Sequence, residues 1–281
     1  AILASLPTDR SVGFCKPKKG SFQPMPKYSV KKPFTILVAV ILVLVLGVVV
    51  ERYAPTAVLP VFAGEMLLLL LLTWRFRASP TMEATAGSGP VLSVGQVLRR
   101  YPAYTWLLVG CALLMACHSA TCTYMIHIVG KVGGSESMMG SALAVAAFLE
   151  LPAMGLFSRV RRKVPLAWLL IFCAAFFVIR AGLFWAARSV PVLYLAAALD
   201  FFEYGIFIPA TVYYVAEHID PANQVKGQSL MGMATTGVGS AFGNFVSGQL
   251  LDRAGVSGML LFCSACAAVG LLVLIYAVRR K

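Results

Sequence analysis

Six ionisable residues lie inside long apolar stretches of this sequence: Glu65, His118, Glu150, Arg180, Asp200 and Glu203. A charged side chain at the centre of a bilayer costs about 2.5–3.5 kcal/mol even on a lenient insertion scale. Such side chains are therefore expected to face one another or a water-filled cavity, where acids and histidine hold and release protons. Their residue types predict proton transfer, or the binding of a polar solute, in the middle of a membrane.

One arginine among these six residues has to balance four acids. Pairing of Arg180 with Asp200 or Glu150 would explain part of the set as contacts that hold helices together. At least one carboxyl would still lack a cation and would carry a proton for part of its life. The aromatic neighbours of Glu203 favour its neutral form, and Asp200, three residues earlier, is predicted on the same helix face. Proton transfer and purely structural pairing both stay open at this point.

The elements that carry these residues are eight apolar stretches, at 34–50, 56–74, 104–129, 138–157, 164–186, 190–215, 228–250 and 257–278. Most of them reach the ~20 residues that cross about 30 Å of hydrocarbon. At least four stretches bring an ionisable residue close to mid-membrane. The sequence thus predicts an all-α integral membrane protein with about eight transmembrane helices. Eight spans leave no room for a soluble catalytic domain, which argues against an enzyme.

Composition and charge agree with this class. Of 281 residues, 59% are hydrophobic and 12% are charged, with a mean hydropathy of +0.83, whereas about a quarter of a soluble domain is charged. The net charge of +13 could suggest a nucleic-acid partner, but most basic residues fall between the stretches on one side. The positive-inside rule then predicts a multi-pass protein of the cell membrane with both termini in the cytoplasm. No nucleic acid is expected, and the N-terminal lysines could contact anionic membrane lipid.

Segment composition divides the chain into four parts: a basic cytoplasmic segment 1–33, a transmembrane hairpin 34–76, a cytoplasmic central loop 77–103 and a six-helix unit 104–281. The central loop has Ser, Thr, Gly and Pro in its first half, which is typical of a linker between two membrane units. Glu65 lies on the hairpin, so it either joins the other candidates or faces the second unit.

Small residues recur every four positions through one apolar stretch: Gly232, Thr236, Ser240, Asn244 and Gly248, with Gly239 and Gly243 one step aside. A stripe of small side chains lets another helix approach closely in a membrane. The stretch 228–250 is therefore predicted to lie inside the helical bundle.

Metal and covalent chemistry find little support in the sequence. Cys263 and Cys266 have the spacing of a redox or zinc pair, but they lie mid-span with no histidine or second pair nearby. His118 and Cys122, four residues apart, are the one candidate for a nucleophile and base. We expect no metal, no cofactor and no intramembrane enzyme.

Three segments resemble the second half of a major facilitator superfamily transporter, with the closest likeness to lactose-permease-like and phenylpropionate-permease-like proton symporters. The run Asp200–Phe–Phe–Glu203–Tyr–Gly is similar to the tenth helix of those symporters, in which a glutamate carries the proton. Glu150 in Phe–Leu–Glu–Leu–Pro and Arg180 in Val–Ile–Arg–Ala–Gly match the eighth-helix acid and the ninth-helix arginine. The glycines of 243–258 resemble the end of the eleventh helix.

The resemblance implies a proton-coupled carrier of a small organic solute, such as a sugar, a nucleoside or an aromatic acid. It gives the proton to Glu203, assigns Asp200 and Glu150 to its coupling, and makes Arg180 and His118 charge partners or solute contacts. Asp200 departs from the pattern, because lactose permease has a histidine there. The inner-loop signature also lacks its acid, which Ser158 replaces.

The likeness extends over helices five to twelve of a twelve-helix fold. The first four helices have no counterpart, so we expect a fragment that needs the missing N-terminal helices to transport. The alternative is a non-transporting membrane scaffold or a degenerate transporter remnant.

Overall fold

The computed structural model describes residues 90–280 and the isolated positions 60, 63, 64 and 67, which are helical. The basic segment 1–33, the predicted span 34–50, nearly all of 56–74, the first part of the central loop and Glu65 lie outside the described residues.

Residues 90–280 are helical, with no strand among them. The helices are α1 Val94–Arg100, α2 Pro102–Thr123, α3 Met125–Lys131, α4 Glu136–Arg161, α5 Leu166–Ala186, α6 Val190–Ala198, α7 Tyr204–His218, α8 Gln224–Gly232 and α9 Ser240–Arg279. Two short 3₁₀ turns, Leu199–Phe201 and Pro221–Asn223, and one π-helical segment, Met233–Gly239, join some of them. This confirms the predicted all-α class.

Five helical runs in this part of the chain are long and apolar enough to cross a membrane: Pro102–Thr123, Glu136–Arg161, Leu166–Ala186, Val190–His218 and Pro221–Arg279. The last run has 59 residues and would extend ~88 Å as one straight helix. Gly255 divides it, with φ 68° and ψ −174°, a conformation that is essentially restricted to glycine. The run can therefore cross twice, on either side of Gly255, as the predicted stretches 228–250 and 257–278 do.

Two predicted spans are interrupted. The stretch 104–129 breaks at Tyr124, whose φ of −99° and ψ of 21° separate α2 from α3. The stretch 190–215 breaks after Ala198, and the chain passes through a 3₁₀ turn and Glu203 before α7 begins. Asp200 and Glu203 therefore do not lie on one regular α-helix, although both carboxylates turn toward the same side, as predicted, and pair with Arg180. Irregular backbone at membrane depth is tolerated where protein surrounds it, and both acids are buried.

The main core lies between α2, α5, α7 and α9, where fully buried side chains meet: Leu107, Leu114, Leu170, Phe177, Phe207 and Leu274. The closest approach joins α2 to the last helical run, because a Cβ at Gly239 or Gly243 would overlap the backbone of Ala112 or Ala116. The predicted small-residue stripe is thus only partly correct. Gly239 and Gly243, one step aside, approach α2 most closely, and Asn244 and Gly248 of the stripe contact Ser119 and Tyr124. Gly232 has no atom within 4 Å of its Cβ position.

Residues 90–92, in the predicted central loop, are hydrogen-bonded to the turn before α8 and to the first turns of that helix. Asn223 is buried, its Oδ1 accepts a hydrogen bond from Leu92 N at 2.8 Å, and its Nδ2 donates to Pro90 O at 3.1 Å. Lys226 Nζ donates to Leu92 O, and Tyr104 OH donates to Gly227 O at 2.6 Å. Residues 90–93 are therefore part of the same packed body as the helices.

Candidate functional site

Four ionisable side chains from three separate parts of the chain meet in what we name the charged cluster: His118, Arg180, Asp200 and Glu203. Arg180, on α5, donates from Nη1 to Glu203 Oε1 at 3.0 Å. The same nitrogen lies 3.1 Å from Asp200 Oδ1. The two acids come from the interruption between α6 and α7, and all three side chains are at most 3% exposed. The interruption turns both carboxylates toward one guanidinium.

His118, on α2, bridges the other members of the cluster. Its Nδ1 lies 3.1 Å from Glu203 Oε1, 3.7 Å from Asp200 Oδ1 and 3.2 Å from Arg180 Nη1. A protonated Nδ1 can donate to a carboxylate, whereas an unprotonated Nδ1 can accept from the guanidinium. The position of one proton is therefore linked to the ion pairing of Arg180.

Two neighbours fix the imidazole. Tyr204 stacks on it with ring centroids 4.4 Å apart and an interplanar angle of 3°. Cys122 Sγ lies 3.7 Å from Nε2. Both ring nitrogens of His118 thus have polar neighbours, and the stacked ring of Tyr204 restricts the orientation of the imidazole plane.

The charges of the cluster do not cancel when both acids are ionised and His118 is neutral. One guanidinium then opposes two carboxylates, which leaves one net negative charge in a buried site. An unbalanced buried charge is strongly unfavourable, and a group in that position usually takes up a proton instead. One proton, on His118 or on a carboxyl, brings the cluster to neutrality.

Some polar atoms of the cluster have no hydrogen-bond partner among the residues that the structure describes. They are Arg180 Nε, Arg180 Nη2, Glu203 Oε2 and Asp200 Oδ1, the last of which is still within 3.1 Å of Arg180 Nη1 as an ion pair. An unsatisfied buried polar group costs about 1–3 kcal/mol, so native structures rarely keep several together without a purpose. Two donor atoms of Arg180 and one acceptor atom of Glu203 thus have hydrogen-bonding capacity that the described residues do not use.

Glu150 lies beside the charged cluster but outside its ion pairs. A Cβ at Gly205 would lie 3.3 Å from Glu150 Cα and 2.6 Å from Ala153 Cβ. This contact places α4 against the start of α7, two residues beyond Glu203. Among residues 90–280, Arg180 pairs with Asp200 and Glu203, and no ion pair joins it to Glu150.

A metal ion could in principle use the same side chains. Ligand atoms of His118, Asp200 and Glu203 all lie within 4.8 Å of one another. However, Arg180 Nη1 is 3.0 to 3.2 Å from one atom of each of them. The guanidinium occupies the position that a bound cation would take, so this arrangement does not suit a metal.

Sequence reasoning missed two features near the cluster. The stacking of Tyr204 on His118 follows from the break before α7, which the apolar pattern does not signal. Asn244, on α9, donates from Nδ2 to Ser119 Oγ at 3.0 Å, next to His118, and its backbone carbonyl accepts from Tyr124 OH at 3.0 Å. The sequence does indicate a polar contact for Asn244, because a side-chain amide within an apolar stretch needs a hydrogen-bond partner.

Comparison with known proteins agrees with membrane-spanning helices arranged around buried charges. The model of the MFS_1 like family matches residues 25–273, which is most of the chain. The chain therefore belongs to the MFS_1 like family. This membership confirms the predicted major facilitator class, makes the chain part of a multi-pass membrane protein, and points to a transporter and away from an enzyme.

Three curated relatives are similar to parts of this chain. The maltose permease of Geobacillus stearothermophilus is 27% identical over 175 residues, which are 62% of this chain and 44% of the permease. A Deinococcus radiodurans protein provisionally named a sugar efflux transporter is 22% identical over 64% of this chain and 46% of its own. The uncharacterized transporter YwbF of Bacillus subtilis is 22% identical over 57% and 40%. The chain spans less than half the length of each relative.

Proposed function

We propose that this chain is part of a secondary transporter that moves a small organic solute across the cell membrane together with protons, with both termini in the cytoplasm. The observation that carries the proposal is the buried cluster of one arginine, two acids and one histidine. Its charges balance only when the cluster holds one proton. Family membership and the names of the curated relatives support transport as the activity.

Glu203 is the proton carrier in this proposal. In the deprotonated form, Oε1 accepts from Arg180 and lies within reach of His118. Protonation of Glu203 removes its charge, so Arg180 then opposes Asp200 alone. The guanidinium is thereby freed from one of its two partners. Proton binding thus changes the donors that Arg180 presents, which is the link that coupled transport requires.

The solute is a small polar molecule, and we favour a sugar over a nucleoside or an aromatic acid. Two observations support this choice. Arg180 Nε and Nη2 and Glu203 Oε2 provide the mixed donors and acceptor that hydroxyl groups need. One relative is named a maltose permease. The lactose-permease-like subtype implied by the resemblance belongs to the same proposal, with His118 as a contact to the solute.

Transport by the full-length protein in proteoliposomes under an imposed pH gradient tests the proposal. Glu203→Gln keeps the size of the side chain but cannot release a proton. We expect it to lose uphill accumulation of a radiolabelled maltodextrin or monosaccharide while keeping exchange without a gradient. Glu136→Gln, an acid in the first turn of α4 outside the cluster, is the matched control and should transport normally. Uphill accumulation by Glu203→Gln would refute the role of Glu203.

A further inference from the structure

An apolar groove lies on the surface where the end of α4 meets the first half of α5. Its volume is about 380 Å³, and its lining includes Val160, Val164, Trp168, Phe172 and Ala175. Trp168 is 53% exposed and Phe172 is 43% exposed, so the groove is open along its outer side. A groove with this lining takes an apolar chain rather than a polar solute.

Three basic residues lie next to this groove in sequence, within two positions of its lining residues Val160 and Val164. Arg159, Arg162 and Lys163 are exposed in the last turn of α4 and the connection that follows it. Arg161 pairs with Glu217, whereas the other three have no acidic partner within 4.0 Å in the part of the chain that the structure describes. The end of α4 and the connection after it therefore carry three positive charges without an acidic partner among the described residues, beside an apolar groove.

The groove extends over most of the depth of one leaflet of a bilayer. Its lining on α5 runs from Trp168 to Ala175, which is ~11 Å at 1.5 Å per residue. Half of a hydrocarbon core of about 30 Å is about 15 Å. Trp168 lies near the basic residues in sequence, and tryptophan is favoured at the boundary between headgroups and acyl chains.

We propose that this groove is a binding site for one anionic phospholipid. The phosphate contacts Arg159, Arg162 and Lys163, and one acyl chain lies along α5 over Trp168 and Phe172. Charge complementarity selects an anionic headgroup, because basic residues between membrane helices attract such lipids. The site is separate from the charged cluster, and the proposal does not depend on transport.

A row of aromatic rings connects the groove to the interruption that contains Asp200 and Glu203. Phe172 contacts Phe176 with ring centroids 4.8 Å apart, and Phe176 contacts Phe202 at 4.8 Å. Phe202 lies between the two acids in sequence. The bound acyl chain would therefore pack on a row of aromatic rings that ends at the break between α6 and α7.

Native mass spectrometry of the purified full-length protein tests the proposal with two lipids of identical acyl chains, phosphatidylglycerol and phosphatidylethanolamine. We expect one phosphatidylglycerol to be retained in preference to phosphatidylethanolamine. Replacing Arg159, Arg162 and Lys163 with glutamine should weaken phosphatidylglycerol binding by roughly fivefold per residue. A second variant, Ala175→Trp, fills the groove with the charges intact and should lower retention of that lipid.

The control variant is Arg279→Gln with Arg280→Gln, which removes basic charge away from the groove and should leave binding unchanged. Equal retention of the two lipids would overturn the proposal, as would equal weakening by the control pair. A dimer that Ala175→Trp dissociates, with no effect on lipid, would assign the groove to a second copy of the chain and would also overturn it. Size-exclusion profiles identical to the unmodified protein establish that each variant is folded.

Discussion

Arg180 contacts both acids of the cluster through one nitrogen, Nη1. The loss of Arg180 and the loss of one acid should therefore have different effects on the site. Removing one acid leaves the guanidinium paired with the other at about 3 Å. Removing the guanidinium leaves two buried carboxylates next to His118 without a permanently charged cation. The arginine is therefore expected to be the residue on which the stability of the site depends, and the acids are the adjustable part.

We predict that Arg180→Gln lowers stability by about 3–5 kcal/mol, the usual cost of leaving a buried charge without its partner. Asp200→Asn should cost less, because Glu203 still pairs with Arg180. Thermal unfolding of the detergent-solubilised protein measures both changes. Combining Arg180→Gln with Asp200→Asn and Glu203→Gln removes the unbalanced charges and should recover most of the loss. A triple variant no more stable than Arg180→Gln would contradict this account.

The membrane-spanning runs among the described residues were predictable from the sequence, because lipid imposes about 20 apolar residues on each span. The interruptions at Tyr124 and at 199–203 were not predictable. The hydropathy stays high through the first, and the two acids in the second do not by themselves indicate a break in the backbone. The packing of the last helical run shows the same limit. Spacing identified a region of small residues, but the rotation of the helix decided that Gly239 and Gly243, rather than Gly232, meet α2.

The contact between Gly243 and α2 leaves no room for a side chain. We predict that Gly243→Val destabilises the protein by more than the 1–3 kcal/mol typical of overpacking, because its Cβ would overlap the backbone of Ala116. Gly232→Ala is the matched control, with open space around the new methyl group and a gain in helix propensity of up to about 1 kcal/mol. Melting temperatures and yields of the two variants should diverge. Similar values for both would show that α2 and α9 are more loosely packed than the structure indicates.

Three of the six ionisable residues singled out in the sequence, His118, Asp200 and Glu203, converge on a fourth, Arg180. That they should meet was predictable, because charges in hydrocarbon need partners. The pairing of Arg180 with Glu203 as well as Asp200, and the exclusion of Glu150 from it, depended on the turn between α6 and α7. The attachment of residues 90–93 to Asn223 was not predictable either, because its partners are more than 130 positions apart in sequence.

Loss of the Asn223 amide should release residues 90–93 without unfolding the helices. We predict that Asn223→Ala makes the Leu92 amide exchange with deuterium roughly tenfold faster, the size expected for losing a buried hydrogen bond. Hydrogen–deuterium exchange with peptide-level readout over 90–101 measures the change. Ser229→Ala, at an exposed residue of α8 whose hydroxyl donates to Val225 O, should leave that exchange unaltered. Unchanged protection in Asn223→Ala would mean that other contacts hold the segment.

Arg180 and its two acids belong to consecutive spans that only residues 187–189 separate. During synthesis, Leu166–Ala186 leaves the ribosome just before Val190–His218, which must enter the bilayer with two acids. Each acid alone would oppose insertion by about 2.5–3.5 kcal/mol. Arg180 on the preceding helix is already available to pair with the two acids when their span inserts, so the two spans can enter lipid as a pair. The same arginine that balances the finished site therefore also helps the nascent chain to reach it.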